Sequence, residues 1–169
     1  MNYLSVRNKI RSGDLIAFSY RQPLFHDWYS FKVGLVRMFT KSEFSHVGVV
    51  WVAANRVFLI EAVVPKVRIY PLSNALLEGE DAYWLPLGVE WTQAAEEFAM
   101  RHVGQEYSQM KAMRALYTPW EHGDSTECAG MVIDVLHVAG VDLGARATPS
   151  AVVRAAESLC APCTLITNS

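Results

Sequence analysis

The chain has little of what nucleic-acid binders, membrane spans and disulfide scaffolds are made from. Its formal net charge is -2 over 169 residues and no run of Lys or Arg stands out, so nothing in the charge draws it to a polyanion. No window reaches the ~18 apolar residues of a membrane span. The longest apolar runs, HVGVVWVAA and VFLIEAVV, have the length and the β-branched content of strands. The opening MNYLSVRNKIRSGD has no apolar stretch of signal-peptide length. The sequence thus reads as a chain made in the cytoplasm, with host lysis or virion packaging left open as later routes out. There are 3 cysteines, an odd count that argues against a disulfide framework. Two of them, Cys160 and Cys163, form CAPC near the end of the sequence. A zinc site would need a second Cys or His pair at matching spacing, and a thioredoxin motif would need a strand before it and a helix opening on it. Neither is present, so both read as ordinary tail cysteines.

The chain also lacks repeats, low-complexity tracts and linkers. With 51% hydrophobic and 19% charged residues, it has the composition of one globular domain spanning 1–169. A short helix is expected over Tyr3 to Ile10, and Gly13-Asp14 turns the chain into the strand DLIAFSY. Trp28 to Phe39 has helical spacing of its apolar residues. His46 to Val52 and Val57 to Val63 read as strands joined by a four-residue turn, Ala53 to Arg56. Pro65 breaks the second strand, Val67 to Tyr70 makes a third with alternating faces, and AYWLPL follows the loop PLSNALLEGED. The second half is mostly helical. Thr92 caps a helix that ends at Gly104, and Gln105 to Tyr117 makes another. Glu127 to Ala139 is closed by Gly140, and Thr148-Pro149 opens a last helix running to about Leu159. Strands first and helices after predict an α+β fold with a small antiparallel sheet.

Three residues on these elements carry chemistry. The expected hairpin pairs His46 with Val63 and Glu61 with Gly48, which sets His46 and Glu61 on one sheet face. Cross-strand neighbours of this kind have Cβ atoms ~4.5–8 Å apart, within reach of a carboxylate–imidazole hydrogen bond. A carboxylate so placed fixes the imidazole tautomer and stabilises its charged form. Cys128 falls in the first turn of a helix that Asp124, Ser125 or Thr126 can cap. There the helix dipole and free backbone N–H groups favour a thiolate and can serve as an oxyanion hole, with small Ala129 and Gly130 admitting a carbonyl. Each residue alone also has a plain reading: a buried cysteine, a hydrogen-bonded core histidine, the polar face of an edge strand. A zinc site from the same three is open but would be an uncommon ligand set. The joint placement favours a triad: Cys128 as nucleophile, His46 as base, Glu61 as its orienter.

The motifs GDLIAF (Gly13, Asp14), SHVGVV (His46), IEAV (Glu61), VGQEYSQM (Gly104, Tyr107), ECAGMV (Cys128) and TPSAVV (Pro149) run in that order through most of the chain. In this combination the sequence resembles the circularly permuted NlpC/P60 papain-like cysteine hydrolases, in particular the YiiX/YaeF-like group. The resemblance implies a barrel-like sheet packed with helices, the nucleophile at a helix N-terminus, and the catalytic set Cys128, His46 and Glu61. It implies cleavage of an amide bond through an acyl-enzyme, with no metal and no organic cofactor. A peptide, a peptidoglycan fragment or an acyl compound would be the substrate. A lipid thioesterase or acyltransferase on the same scaffold, or an inactive binding or assembly protein, is the alternative. The stretch from Leu72 to Trp91 matches nothing in that pattern, and no wall-binding module accompanies it.

Other residues have weaker claims. Tyr20 could line the site, and Ser45 could position the chain at His46. Trp84, Trp91 and Trp120 could wall a substrate, although core packing is the better reading for at least two of them. His26, His102, His122 and His137 look incidental, with His122 the nearest in sequence to Cys128. The loop Tyr117 to Ser125 is where a lid would lie.

Overall fold

A computed structural model of the protein describes residues 1–19, 44–78, 80–106, 128–144, 148–160 and 162–167. Tyr20, the 28–39 and 105–117 helices (the latter beyond residue 106), Tyr107, Trp120, His26, His122, the 117–125 loop and the caps at 124–126 lie outside them. Helix α1 covers Tyr3–Val6 and runs into a 3-10 turn at Arg7–Lys9, so the predicted first helix is present in a tightened form. Strands β1 (Leu15–Ser19), β2 (His46–Ala53), β3 (Arg56–Ala62) and β4 (Val67–Pro71) follow. After a one-turn helix α2 (Leu72–Ala75) come β5 (Asp81–Leu85), α3 (Gln93–His102), α4 (Cys128–Val138), α5 (Pro149–Leu159) and β6 (Thr164–Ile166).

The six strands form one sheet in the order β4-β3-β2-β1-β5-β6, every neighbouring pair antiparallel. The α+β expectation holds, but the barrel-like expectation does not: the sheet is open. Its two edges end on other backbone instead of on each other. At the β4 edge the Val67 N–H donates to the Gln105 carbonyl, and the Gly104 N–H donates to the Val67 carbonyl. At the β6 edge the Tyr3 N–H donates to the Thr167 carbonyl and the Thr167 N–H to that of Met1.

Both sheet faces are covered, which is why the strand segments LIAF, VVW and FLI are almost wholly apolar. One face carries Leu15, Val47, Val49 and Ile60 under Met131, Val132, Val135 and Leu136 of α4 and Val152 and Val153 of α5. The other carries Ile16, Phe18, Val50 and Leu59 under Tyr3, Val6, Ile10 and Leu72.

The hairpin register is the expected one, with Val49 across from Ile60 and Ala53 across from Arg56. The four-residue turn lies where expected: Ala53 and Arg56 pair at its ends, and Ala54 and Asn55 between them are both at positive φ (48° and 59°). A two-residue loop with both residues left-handed matches the twist of a hairpin. The Arg7 guanidinium donates to the Asn55 carbonyl and braces it. Two further departures are α2, which falls in the expected loop PLSNALLEGED, and β6, which adds to the edge of β5 through Ala82–Ile166 and Trp84–Thr164 pairs. The helix starts and stops agree closely. Thr92 Oγ1 accepts from the Ala95 N–H at 3.2 Å, Thr148 precedes the first-turn Pro149, and Gly104 and Gly140 take the left-handed conformation after α3 and α4.

Candidate active site

β2 begins at His46 and β3 finishes just past Glu61, so in an antiparallel pair both side chains stand at the same end of the sheet. Strand alternation sets them on one face with Gly48 between. His46 Nε2 donates to Glu61 Oε2 at 2.8 Å. The Phe18 ring, on the neighbouring strand position, stacks on the imidazole with centroids 5.8 Å apart. The chain just ahead of His46 is tied down twice. Ser45 donates both its N–H and its hydroxyl to the Phe18 carbonyl, at 2.9 and 3.1 Å. The Phe44 N–H donates to Ser150 Oγ in the first turn of α5 at 3.2 Å. Ser45 thus has the positioning role expected of it, and the useful residue of TPSAVV is Ser150 as well as Pro149.

Glu61 is 3% exposed, and each of its oxygens has a partner. Oε2 faces His46, while Oε1 accepts from Arg68 Nε at 2.8 Å and lies 2.8 Å from Nη2. Arg68 stands directly across from Glu61 on β4 and lays its guanidinium over the Tyr70 ring, 4.0 Å from the centroid. Burial by itself would raise the Glu61 pKa. The hydrogen bond and charge of His46, with Arg68 beside it, override burial and hold the carboxyl below its ordinary value.

Cys128 lies in the first described turn of α4, is 8% exposed, and is close enough to the His46 imidazole to act on its titration. With Nε2 taken by Glu61, Nδ1 is the nitrogen left for the sulfur. Helix α4 packs on the sheet face opposite the one alternation gives to His46 and Glu61, so the thiol meets the imidazole where the strands end. Burial would lower the His46 pKa. Hydrogen bonds and charges from Cys128 and Glu61 outweigh it and raise the pKa from 6.5 to about 10. The three residues expected to form a triad are therefore neighbours, His46 and Glu61 joined by a 2.8 Å hydrogen bond and Cys128 beside the imidazole. This arrangement can hold a proton on the imidazole against the ionised Glu61 carboxylate.

Other expectations divide. Ala129 and Gly130, the small residues that follow Cys128, are both buried. Trp84 donates Nε1–H to Asp14 Oδ2 at 2.9 Å and Trp91 donates to Glu96 at 3.1 Å, which makes both packing residues. His102 bonds the Phe98 carbonyl in its own helix through Nδ1 at 2.9 Å. His137 is exposed in the last turn of α4, nine positions along from Cys128 and therefore about 13 Å away along the axis. Asp14 of GDLIAF is 2% exposed and accepts from the Arg11 N–H, Trp84 Nε1–H and Leu87 N–H at 2.9, 2.9 and 3.1 Å. It is a fastener between β1 and the chain after β5.

Arg68 is the functional-site residue that sequence reasoning missed. The available signal was strand alternation in VRIY, which sets Arg68 and Tyr70 on one face and Val67 and Ile69 on the other.

No protein-family model matches the chain, and no curated protein matches it. Among solved structures, it is similar to the crystal structure of metalloprotein yiiX from Escherichia coli O157:H7, described as DUF1105. The TM-score is 0.54 at 22% sequence identity, covering 80% of this chain and 68% of that one. A likeness of this size establishes a shared fold. Among the described residues no helix is long and apolar enough to cross a membrane.

Proposed function

We propose that the chain is a cysteine hydrolase of the permuted papain-like, NlpC/P60 type, cleaving an amide bond through a thiolate acyl-enzyme. The observation that carries this reading is the 2.8 Å hydrogen bond between the His46 imidazole and the buried Glu61 carboxylate, with Cys128 near enough to act on the same ring. The fold shared with yiiX and the permuted order of the motifs support it.

In this mechanism the Cys128 proton moves to His46 Nδ1, giving a thiolate and an imidazolium. The thiolate attacks the substrate carbonyl carbon, forming the S–C bond and an oxyanion. With Cys128 in the first described turn of α4, backbone N–H groups and the positive end of the helix dipole would stabilise that oxyanion. His46 then gives its proton to the amide nitrogen, the C–N bond breaks, the amine leaves, and a thioester remains on Cys128. Water delivers a proton to His46 and its oxygen to the thioester carbon. The sulfur departs, and the acid product is released. Glu61 stays ionised throughout and holds the imidazole in one tautomer.

The yiiX protein is a metalloprotein by name, but the residues of this site do not fit a metal ion. Glu61 has one oxygen on His46 and the other on a guanidinium that repels a cation. Among the described residues no group of three or more His, Cys, Asp or Glu is placed to hold an ion.

The test is turnover of acyl amides, short peptides and peptidoglycan stem peptides by wild type and Cys128→Ala, with circular dichroism to confirm the fold. The reading expects at least about a thousandfold loss in the variant. Retained turnover would overturn it, and turnover of acyl esters or thioesters in preference to amides would move the substrate class to lipids.

A further inference from the structure

Glu61 is held by two groups of opposite exposure. His46, 19% exposed, takes Oε2, and Arg68, 40% exposed, takes Oε1 with both Nε and Nη2 within 2.8 Å. The Arg68 guanidinium is itself fixed, because its face lies 4.0 Å from the Tyr70 ring centroid. The register makes the contact unavoidable: Glu61 and Arg68 are direct cross-strand partners. The carboxylate therefore cannot rotate toward or away from His46 without breaking a forked charge-assisted contact on its other oxygen.

We infer that Arg68 is a positioning residue of this site, which locks the Glu61 carboxylate in its ionised, His46-facing orientation and thereby fixes the imidazole beside Cys128. The inference rests on the cysteine-hydrolase reading for its meaning, but its physical content is a relation between Arg68 and Glu61. Among the described residues, the titratable and charged groups acting on this centre are His46 from β2, Cys128 from α4, Arg68 and Tyr70 from β4, and Glu78 and Glu80 ahead of β5. Arg68 is the one permanent cation of that set, and the two outer carboxylates oppose it. Without Arg68 the Glu61 carboxyl loses the permanent counter-charge beside it and the forked contact that orients it, so it protonates at a higher pH and holds the His46 ring less firmly.

The experiment titrates the Glu61 carboxyl carbon and the His46 ring by NMR in wild type, Arg68→Gln and Arg68→Lys, alongside the rate of Cys128 alkylation by iodoacetamide across pH. In Arg68→Gln the Glu61 midpoint moves up. The His46 ring resonances shift with it, and alkylation at neutral pH slows about fivefold, the scale of a half-exposed ion pair. Arg68→Lys restores the charge without the planar fork, so it recovers most of the Glu61 midpoint but only part of the His46 shift. An unmoved Glu61 midpoint in Arg68→Gln, or His46 resonances that stay at their wild-type positions, overturns the inference. A Glu61 midpoint that follows Arg68 while Cys128 stays inert at all pH values would uphold the lock and sink the hydrolase reading instead.

Discussion

The Cβ that Gly48 lacks would stand 3.2 Å from the Cβ of Glu61 and 3.3 Å from the Ile60 carbonyl oxygen. Those are backbone-anchored neighbours on β3, so they have little room to yield. The close approach of the two strands at this point is part of how the carboxylate comes to lie against His46.

Gly48→Ala is therefore expected to disturb Glu61 before anything else. Overpacking of this kind costs about 1–3 kcal/mol. A urea unfolding curve should show that loss, and the His46 ring resonances should shift with it. Unchanged stability and unchanged His46 resonances would mean that the strands separate freely here.

The Glu61–His46 pair makes stability depend on pH in a defined window. Glu61 has a lowered pKa in the folded chain, so its contribution is complete above the unfolded value, about 4.3, and is lost as pH falls through the folded one. His46 is raised to about 10, so its contribution is complete below the unfolded value and is lost as pH rises through about 10. Both operate fully between about pH 4.3 and 6.5. Melting temperatures of wild type and Glu61→Gln should differ most in that interval, by the equivalent of about 2 kcal/mol, and converge on either side. A constant difference across pH would show that charge is not the stabilising quantity.

Asp14 accepts three hydrogen bonds while 2% exposed. Asp14→Ala leaves three donors unpaired and should cost about 3 kcal/mol or more. Cys128 alkylation in the protein that remains folded should be unaffected. Slower alkylation at a temperature well below melting would assign Asp14 a role at the site.

Ser150→Ala removes the acceptor of the Phe44 N–H, two residues ahead of His46. The expected loss is about 1 kcal/mol, with faster hydrogen exchange at Phe44 and Ser45. Exchange rates that stay at wild-type values would show that Ser150 does not hold this segment.

The His46–Glu61 contact was legible because the four-residue turn at Ala53 to Arg56 fixes register and period-two alternation fixes face. Cys128 was legible as a helix opening, though not the side of the sheet from which it reaches the imidazole. Arg68 was not, since the β3–β4 connection contains Pro65 and its length, not composition, decides which residue faces Glu61. β6 escaped because three residues carry no period, and its place depends on the free edge of β5. Openness of the sheet depends on backbone partners at Gly104, Gln105 and Met1, which no local pattern in the strands records.

The backbone contacts that join Met1 and Tyr3 to Thr167 bring the first and last described residues side by side. A bare β6 edge would offer its unpaired backbone groups to a neighbouring chain as a template for a seventh strand. The contacts from Met1 and Tyr3 occupy those groups at Thr167 and so guard this side of the sheet against edge-to-edge association.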